Sequence, residues 1–212
     1  THRLNNSISI INGVNDDSIK TIDVGKNPIS VDAGYNTKEV FVVNRGSNSL
    51  SIIDGSKDTV IKTLKIAGDR PYDIEINPQI KSAYITNNIG NFRGVVNVIK
   101  YEENEDYKYI QVGNKPLDIA VNPTTKKVYI VNNGDGNVSV INGTTDEWIK
   151  DIDVGNKPVR IDIDMKTHKI YVTNNGSNNV SVINGTTDEW IKDIDVDDKP
   201  ISVAVNPNTK KV

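Results

Sequence analysis

Apolar residues in this chain come in short bursts. Val and Ile cluster in runs of a few residues, and Asn, Gly, Asp, Pro and Thr interrupt them at regular intervals. Residues 113–154 show the pattern most clearly. Segments 117–121, 128–131, 138–141 and 148–154 read as strands, and 122–126, 132–136 and 142–143 as the turns between them. Asn142 and Gly143, with Asn184 and Gly185, Asp54 and Gly55, and Asn12 and Gly13 at matching places, suggest tight hairpins, because Asn and Gly tolerate the positive φ such turns require. Long apolar patterns of helical period are absent.

The pattern repeats. Residues 137–154 recur letter for letter as 179–196, 42 positions further on. A proline opens each unit, at Pro28, Pro71, Pro116, Pro158 and Pro200, with spacings of 43, 45, 42 and 42. Four full units follow, at about 25–66, 67–112, 113–154 and 155–196, each with four strands, A to D. Residues 1–24 supply only strands C and D, and 197–212 only strand A and the start of B. Strands such as Val128-Tyr129-Ile130-Val131 are apolar on both faces, so both faces must be covered. Radial repetition of a four-stranded sheet achieves this, whereas a linear stack would leave end faces in need of caps. The expected fold class is all-β: a β-propeller of four-stranded antiparallel blades, about five in number, four full plus one split between the termini, in a single domain 1–212. Closure by strands from both ends would remove sheet edges. The rival arrangement is an arc of a larger ring, cut in mid-repeat at Val212.

Tyr171-Val172-Thr173-Asn174, with variants Tyr129-Ile130-Val131-Asn132, Tyr84-Ile85-Thr86-Asn87 and Phe41-Val42-Val43-Asn44, resembles the repeat of the YVTN family of β-propellers. The Asn-Pro turns at Asn77, Asn122 and Asn206 and the Val-Ser-Val-Ile-Asn-Gly strand ends are similar to that family as well, and the resemblance covers essentially the whole chain. It implies a propeller like those of archaeal surface-layer proteins and other secreted or envelope proteins. Related propellers include enzymes, so the resemblance does not by itself fix an activity.

The 212 residues contain no cysteine, which excludes disulfides, thiolate metal sites and a cysteine nucleophile. A net charge of −3 points to neither nucleic acid nor an anionic membrane as partner. The longest apolar run, of four to five residues, is too short to span a membrane. The chain opens on Thr1 rather than a methionine and so reads as a mature or excised piece of something longer.

Candidate chemistry is sparse. The two histidines, His2 and His168, do not suggest a Ser–His–acid constellation, no paired-histidine metal motif or phosphate loop occurs, and His168 reads most simply as a solvated turn residue. No catalytic residue, metal or cofactor is expected. Strand A, innermost in a propeller, carries Ser30, Asp73, Asp118, Arg160 and Ser202 at one register, and Asp32, Glu75, Ala120, Asp162 and Ala204 at another. This acidic set with one arginine suits a cation or small-ligand site at a tunnel mouth, or simply hydrogen bonds and an ion pair between blades. The D–A loops carry a cation before the proline (Arg70, Lys115, Lys157 and Lys199, with Lys26 one residue earlier), either a basic ring or solvated turns. The opposite face mixes Lys126, Lys127, Lys210 and Lys211 with Asp146, Glu147, Asp188 and Glu189, so its charges should cancel.

The second unit has about three extra residues in its B–C loop and one in its D–A loop. Phe92 and Arg93 lie there with Asp73 close by in sequence, and they form a candidate contact site. Trp148 and Trp190 begin outermost strands, where each packs across a blade interface or docks a protein or glycan. Asn-x-Ser/Thr sequons begin at Asn5, Asn137, Asn142, Asn175, Asn179 and Asn184. With 28 Asn and 28 Ser plus Thr, about four are expected by chance, and Asn137 and Asn179 sit at strand starts where a glycan fits poorly. The candidate glycosylation sites are therefore Asn5, Asn142, Asn175 and Asn184.

The expected function is a non-enzymatic extracellular or cell-surface scaffold. One loop face contacts protein or glycan, or copies self-associate in a surface-layer lattice, without nucleic acid and without membrane insertion. The alternative is a small-ligand or cation-binding propeller that uses the acidic channel, descended from an enzyme.

Overall fold

The computed structural model describes residues 1–33, 38–89, 93–101, 107–209 and 211–212, with Arg93 by its backbone alone. Every regular element among them is a strand, and there is no helix. β1 (Ser7–Ile11) and β2 (Ser18–Asp23) form a two-stranded sheet. Four antiparallel sheets follow, each with its strands side by side in chain order. They are β3 (Pro28–Ala33), β4 (Glu39–Asn44), β5 (Ser49–Asp54), β6 (Thr59–Lys65); β7 (Ile74–Asn77), β8 (Ser82–Ile89), β9 (Arg93–Lys100), β10 (Tyr107–Val112); β11 (Pro116–Asn122), β12 (Lys127–Asn132), β13 (Asn137–Asn142), β14 (Glu147–Asp153); and β15 (Pro158–Ile163), β16 (Lys169–Asn174), β17 (Asn179–Asn184), β18 (Glu189–Asp195).

The apolar core lies between sheets. Tyr129 and Val131 of β12, with Val138 and Val140 of β13, meet Ile161, Ile163, Ile170, Val172 and Ile183 of the next unit. Val128 and Ile130, with Ile141, face the other way onto Tyr84, Val96 and Val98. This explains why the strands are apolar without clean alternation: both faces are interfaces. The outermost strands have one neighbour fewer, and β14 and β18 are exposed almost throughout.

The turns differ from expectation in an informative way. Gly143 and Gly185 do not adopt positive φ; Asp146 (φ 53) and Asp188 (φ 57), three residues further on, do. The hairpins are longer than two residues, with Asn142 Oδ1 accepting the amides of Thr144 and Thr145. Glycine is required instead by close approach. A Cβ on Gly143 would lie 2.7 Å from the Lys126 carbonyl oxygen and 2.9 Å from the Tyr84 hydroxyl of the preceding unit.

Of the expected split unit, 197–212 plus 1–24, the described residues form one two-stranded sheet. Among the described residues β1 pairs with β2 alone, and those of 199–212 form a bridge between Asn206 and Lys211 but no strand. The extra residues of the second unit lengthen its hairpin: β8 and β9 pair out to Ile89 and Arg93, and the enlarged D–A loop meets them through Asp69 N–H donating to the Asn88 carbonyl at 2.7 Å.

Candidate functional site

The A strands β3, β7, β11 and β15 are the first strands of consecutive sheets and pack against one another. A register shift follows the proline in three of them, between Pro28 and Ser30, Pro116 and Asp118, and Pro158 and Arg160. Such a bulge re-aims the residue after it. Here it places the first sequence-predicted row in a continuous chain. Ser30 Oγ donates to Asp73 Oδ1 at 2.7 Å. Asp73 and Asp118 share a side-chain hydrogen bond. Arg160 Nη1 lies 3.5 Å from Asp118 Oδ1.

The second row is used differently. Asp32 Oδ2 accepts the Ile76 amide at 2.8 Å, and Asp162 Oδ2 accepts the Val205 amide at 2.7 Å. Ala120 has no such group, and Asp118 takes over by accepting the Ile161 amide at 2.8 Å. Each of these carboxylates pins the inner strand of its unit to the backbone of the next. Burial pushes Glu75 up to about 9, with Asp32, Asp73, Asp118 and Asp162 adding repulsion, so it stands protonated at neutral pH. Burial also pushes Asp118 up to about 8, with Asp73 beside it, against the pull of the Ile161 amide and Arg160.

Asp73, Asp118, Arg160 and Glu75 are therefore brought together. Phe92 and the Arg93 side chain lie outside the described residues. Among the glycosylation candidates Asn5 is exposed, Asn142 and Asn184 are half-buried turn residues, and Asn175 is half-buried with Nδ2 donating to the Pro200 carbonyl at 3.4 Å. The residue before the proline is left-handed in every unit (Asn27, Arg70, Lys115, Lys157 and Lys199), so four of the five loop cations occupy a strained turn position as well as an exposed one, and Lys26, one residue earlier, does not.

Two kinds of link between units, and one within each unit, were not foreseen. Tyr84 of β8 and Tyr129 of β12 are fully buried and reach the C–D turn of the following unit. Tyr129 Oη lies 2.9 Å from Asp188 Oδ1 and 3.0 Å from the Gly185 carbonyl, and Tyr84 Oη 3.2 Å from both Asp146 Oδ1 and the Gly143 carbonyl. Lys127 and Lys100 pair with the same carboxylates at 2.6 and 3.0 Å. The motif asparagines Asn44, Asn132 and Asn174 donate Nδ2 to Ser51, Ser139 and Ser181. The available signal was the recurrence of Tyr and of Asp at fixed unit positions, but periodicity alone does not say which pairs meet.

Among the described residues no group of three His, Asp or Glu side chains is placed to hold a metal ion. His168 Nδ1 lies 3.1 Å from Asn122 Nδ2, and His2 Nε2 2.7 Å from Ser9 Oγ at an exposed position.

No family model matches the sequence, and no curated protein matches it significantly. Solved structures resemble the fold. A functionally unknown protein from Desulfotomaculum acetoxidans superposes with a TM-score of 0.85 at 13% identity, over 98% of this chain and 68% of that one. A candidate 6-phosphogluconolactonase from Bacteroides uniformis gives 0.71 at 14% identity, over 95% of this chain and 68% of that one. Kuenenia stuttgartiensis hydrazine synthase gives 0.65 at 15% identity, over 96% and 84%. At these identities the likeness is one of fold alone: a repeat-type all-β protein of four-stranded antiparallel sheets.

Proposed function

We propose that this chain is a β-propeller-type scaffold of the YVTN kind, its sheets acting as successive blades, and that it works outside the cell or on its surface by contact rather than by catalysis. The observation that carries this reading is the use made of the inner carboxylates. Asp32, Asp118 and Asp162 are each occupied by a backbone amide of the adjoining unit, and Glu75 is held neutral. Groups that would serve as a base or a cation cage are engaged in joining blades. The self-complementary repeat and the resemblance in the Tyr-Val-Thr-Asn strands also support it, and protein, glycan or a second copy remain the expected partners.

The likeness to a candidate lactonase selects the test. Purified protein is assayed for hydrolysis of 6-phosphogluconolactone and titrated with calcium by calorimetry, alongside Asp73→Asn/Asp118→Asn. Neither turnover nor binding heat is expected in either protein. Turnover or calcium binding that the double variant loses would overturn the reading in favour of an active acidic channel.

A further inference from the structure

Trp148 lies opposite Ile141 on the outermost strand of its sheet, and Trp190 lies opposite Ile183 at the same place one unit on. Ile141 and Ile183 are fully buried, yet each indole is 50% exposed. Packing across the blade interface, one of the two expectations for these residues, is thus only half realised. Each indole is nevertheless fixed. Trp148 Nε1 donates to Asp151 Oδ1 at 3.1 Å, and Ser139 Oγ holds the same oxygen at 2.6 Å. Trp190, Asp193 and Ser181 repeat the arrangement at 3.0 and 2.6 Å. The indole N–H is thereby satisfied within the protein, and what the ring offers outward is its carbon face.

That face borders a groove of about 490 Å³ between β10 and β14, lined by Ile110, Gln111, Val112, Asp135, Trp148 and Asp151. The lining combines an aromatic platform and two aliphatic side chains with an amide and two carboxylates, and it includes no cation. Aliphatic C–H groups of a ligand would stack on the indole, and hydroxyl protons would find acceptors in Asp151, Asp135 and Gln111. A carboxylated or phosphorylated ligand would meet two like charges instead. Repeat register places Ile152, Asp153, Val154, Ser177, Trp190 and Asp193 in the equivalent positions 42 residues later. Tyr107, opposite Ile99, stands at the same register in the second unit, beside another groove of about 490 Å³.

We propose that the outer-rim groove at Trp148, and the repeat-equivalent position at Trp190, bind a neutral pyranose glycan. The ring stacks on the indole and its hydroxyls donate to the Asp151 or Asp193 carboxylate. Two tryptophans at the same register on the outer strands of adjacent sheets suit a polymer of repeating sugars, since occupation of one position raises the effective concentration at the other. The inference goes beyond the scaffold reading and does not depend on it, because a rim lectin and a channel enzyme are compatible.

The chain has only two tryptophans, and they are these two, so intrinsic fluorescence reports the sites directly. The full chain is titrated with cellotetraose, chitotetraose and laminaritetraose, with parallel calorimetry. At least one is expected to quench or blue-shift the emission saturably. Trp148→Phe and Trp190→Phe, each leaving a single reporter, should both retain a response. Trp148→Ala/Trp190→Ala gives up the buried half of each indole, so it should melt at a lower temperature than the wild type yet stay folded by circular dichroism, and bind at least about tenfold more weakly by calorimetry. No response and no heat from any of the three sugars at about 10 mM overturns the proposal. So does binding that survives unchanged in the folded double variant, or tryptophan-dependent capture of a protein with no response to sugar.

Discussion

Tyr129→Phe removes one oxygen atom from a fully buried side chain and alters no apolar contact. That hydroxyl has a single proton to share between the Asp188 carboxylate at 2.9 Å and the Gly185 carbonyl at 3.0 Å. A hydrogen bond to a charged acceptor contributes about 1.5–3 kcal/mol, and a buried acceptor left without a donor adds to the loss. Asp188 keeps Lys127 at 2.6 Å, which limits the damage. The expected cost is therefore about 2 kcal/mol, or about 4–8 °C in melting temperature for a chain of this size. The same change at Tyr84, whose two contacts are both 3.2 Å, should cost less. Thermal melts and urea titrations at neutral pH measure both variants. A double-mutant cycle of Tyr129→Phe with Asp188→Asn should show coupling of about 1 kcal/mol or more. A Tyr129→Phe protein melting within about 1 °C of wild type, or strictly additive effects in the cycle, would refute the idea that this tyrosine ties one sheet to the next.

Three further expectations follow from the interior. Glu75 and Asp118 are raised to about 9 and 8 from ordinary values of 4.5 and 3.8. The folded state therefore keeps protons that the unfolded chain releases: their contribution is full below about pH 4, declines as pH rises through that window, and levels off above about 9. Glu75→Gln should lose less stability than wild type between pH 5 and 9, and equal shifts in urea midpoint would contradict this. In Gly113→Ala the new Cβ would lie 2.7 Å from Asn132 Cγ, whose amide is fixed by Ser139, so a loss of about 1–3 kcal/mol is expected in the melt; an unchanged melt would mean that the contact relaxes freely. Ile130→Asp places a charge in a fully buried layer between two sheets and should abolish folding, whereas Ile130→Val should be mild; a soluble Ile130→Asp protein with wild-type melting would show that β12 is not enclosed.

The chain announced its strands plainly. Val128 to Val131 read as apolar on both faces, and the structure encloses that strand between neighbouring units. The acidic rows were legible too, because Asp73, Asp118 and Arg160 fall at one register. What escaped the reading were partners. Asp32 bonds to a backbone amide 44 residues away, and an amide leaves no mark in a side-chain pattern. Gly143 looked like a turn glycine, but its constraint is close approach to the Lys126 carbonyl and to a tyrosine from another unit, and the second of these no local rule can anticipate. The tryptophans were recognised as unusual. Their exposure depends on how far the outer strands of adjacent sheets stand apart, a property of tertiary geometry rather than of sequence.

The placement of the core between sheets governs how the molecule comes apart. No unit owns its hydrophobic layer; each layer is half-contributed by the next unit, and the carboxylate and tyrosine links cross the same boundary. Stability in such a system is a sum over boundaries, as in a one-dimensional chain of coupled spins. The second and third four-stranded sheets have a four-stranded neighbour on both sides. Opening should therefore begin in the outer strands, which have one neighbour fewer, and travel inward across each sheet, so amide exchange would be slowest in β8, β9, β12 and β13 and faster in the exposed outer strand β14.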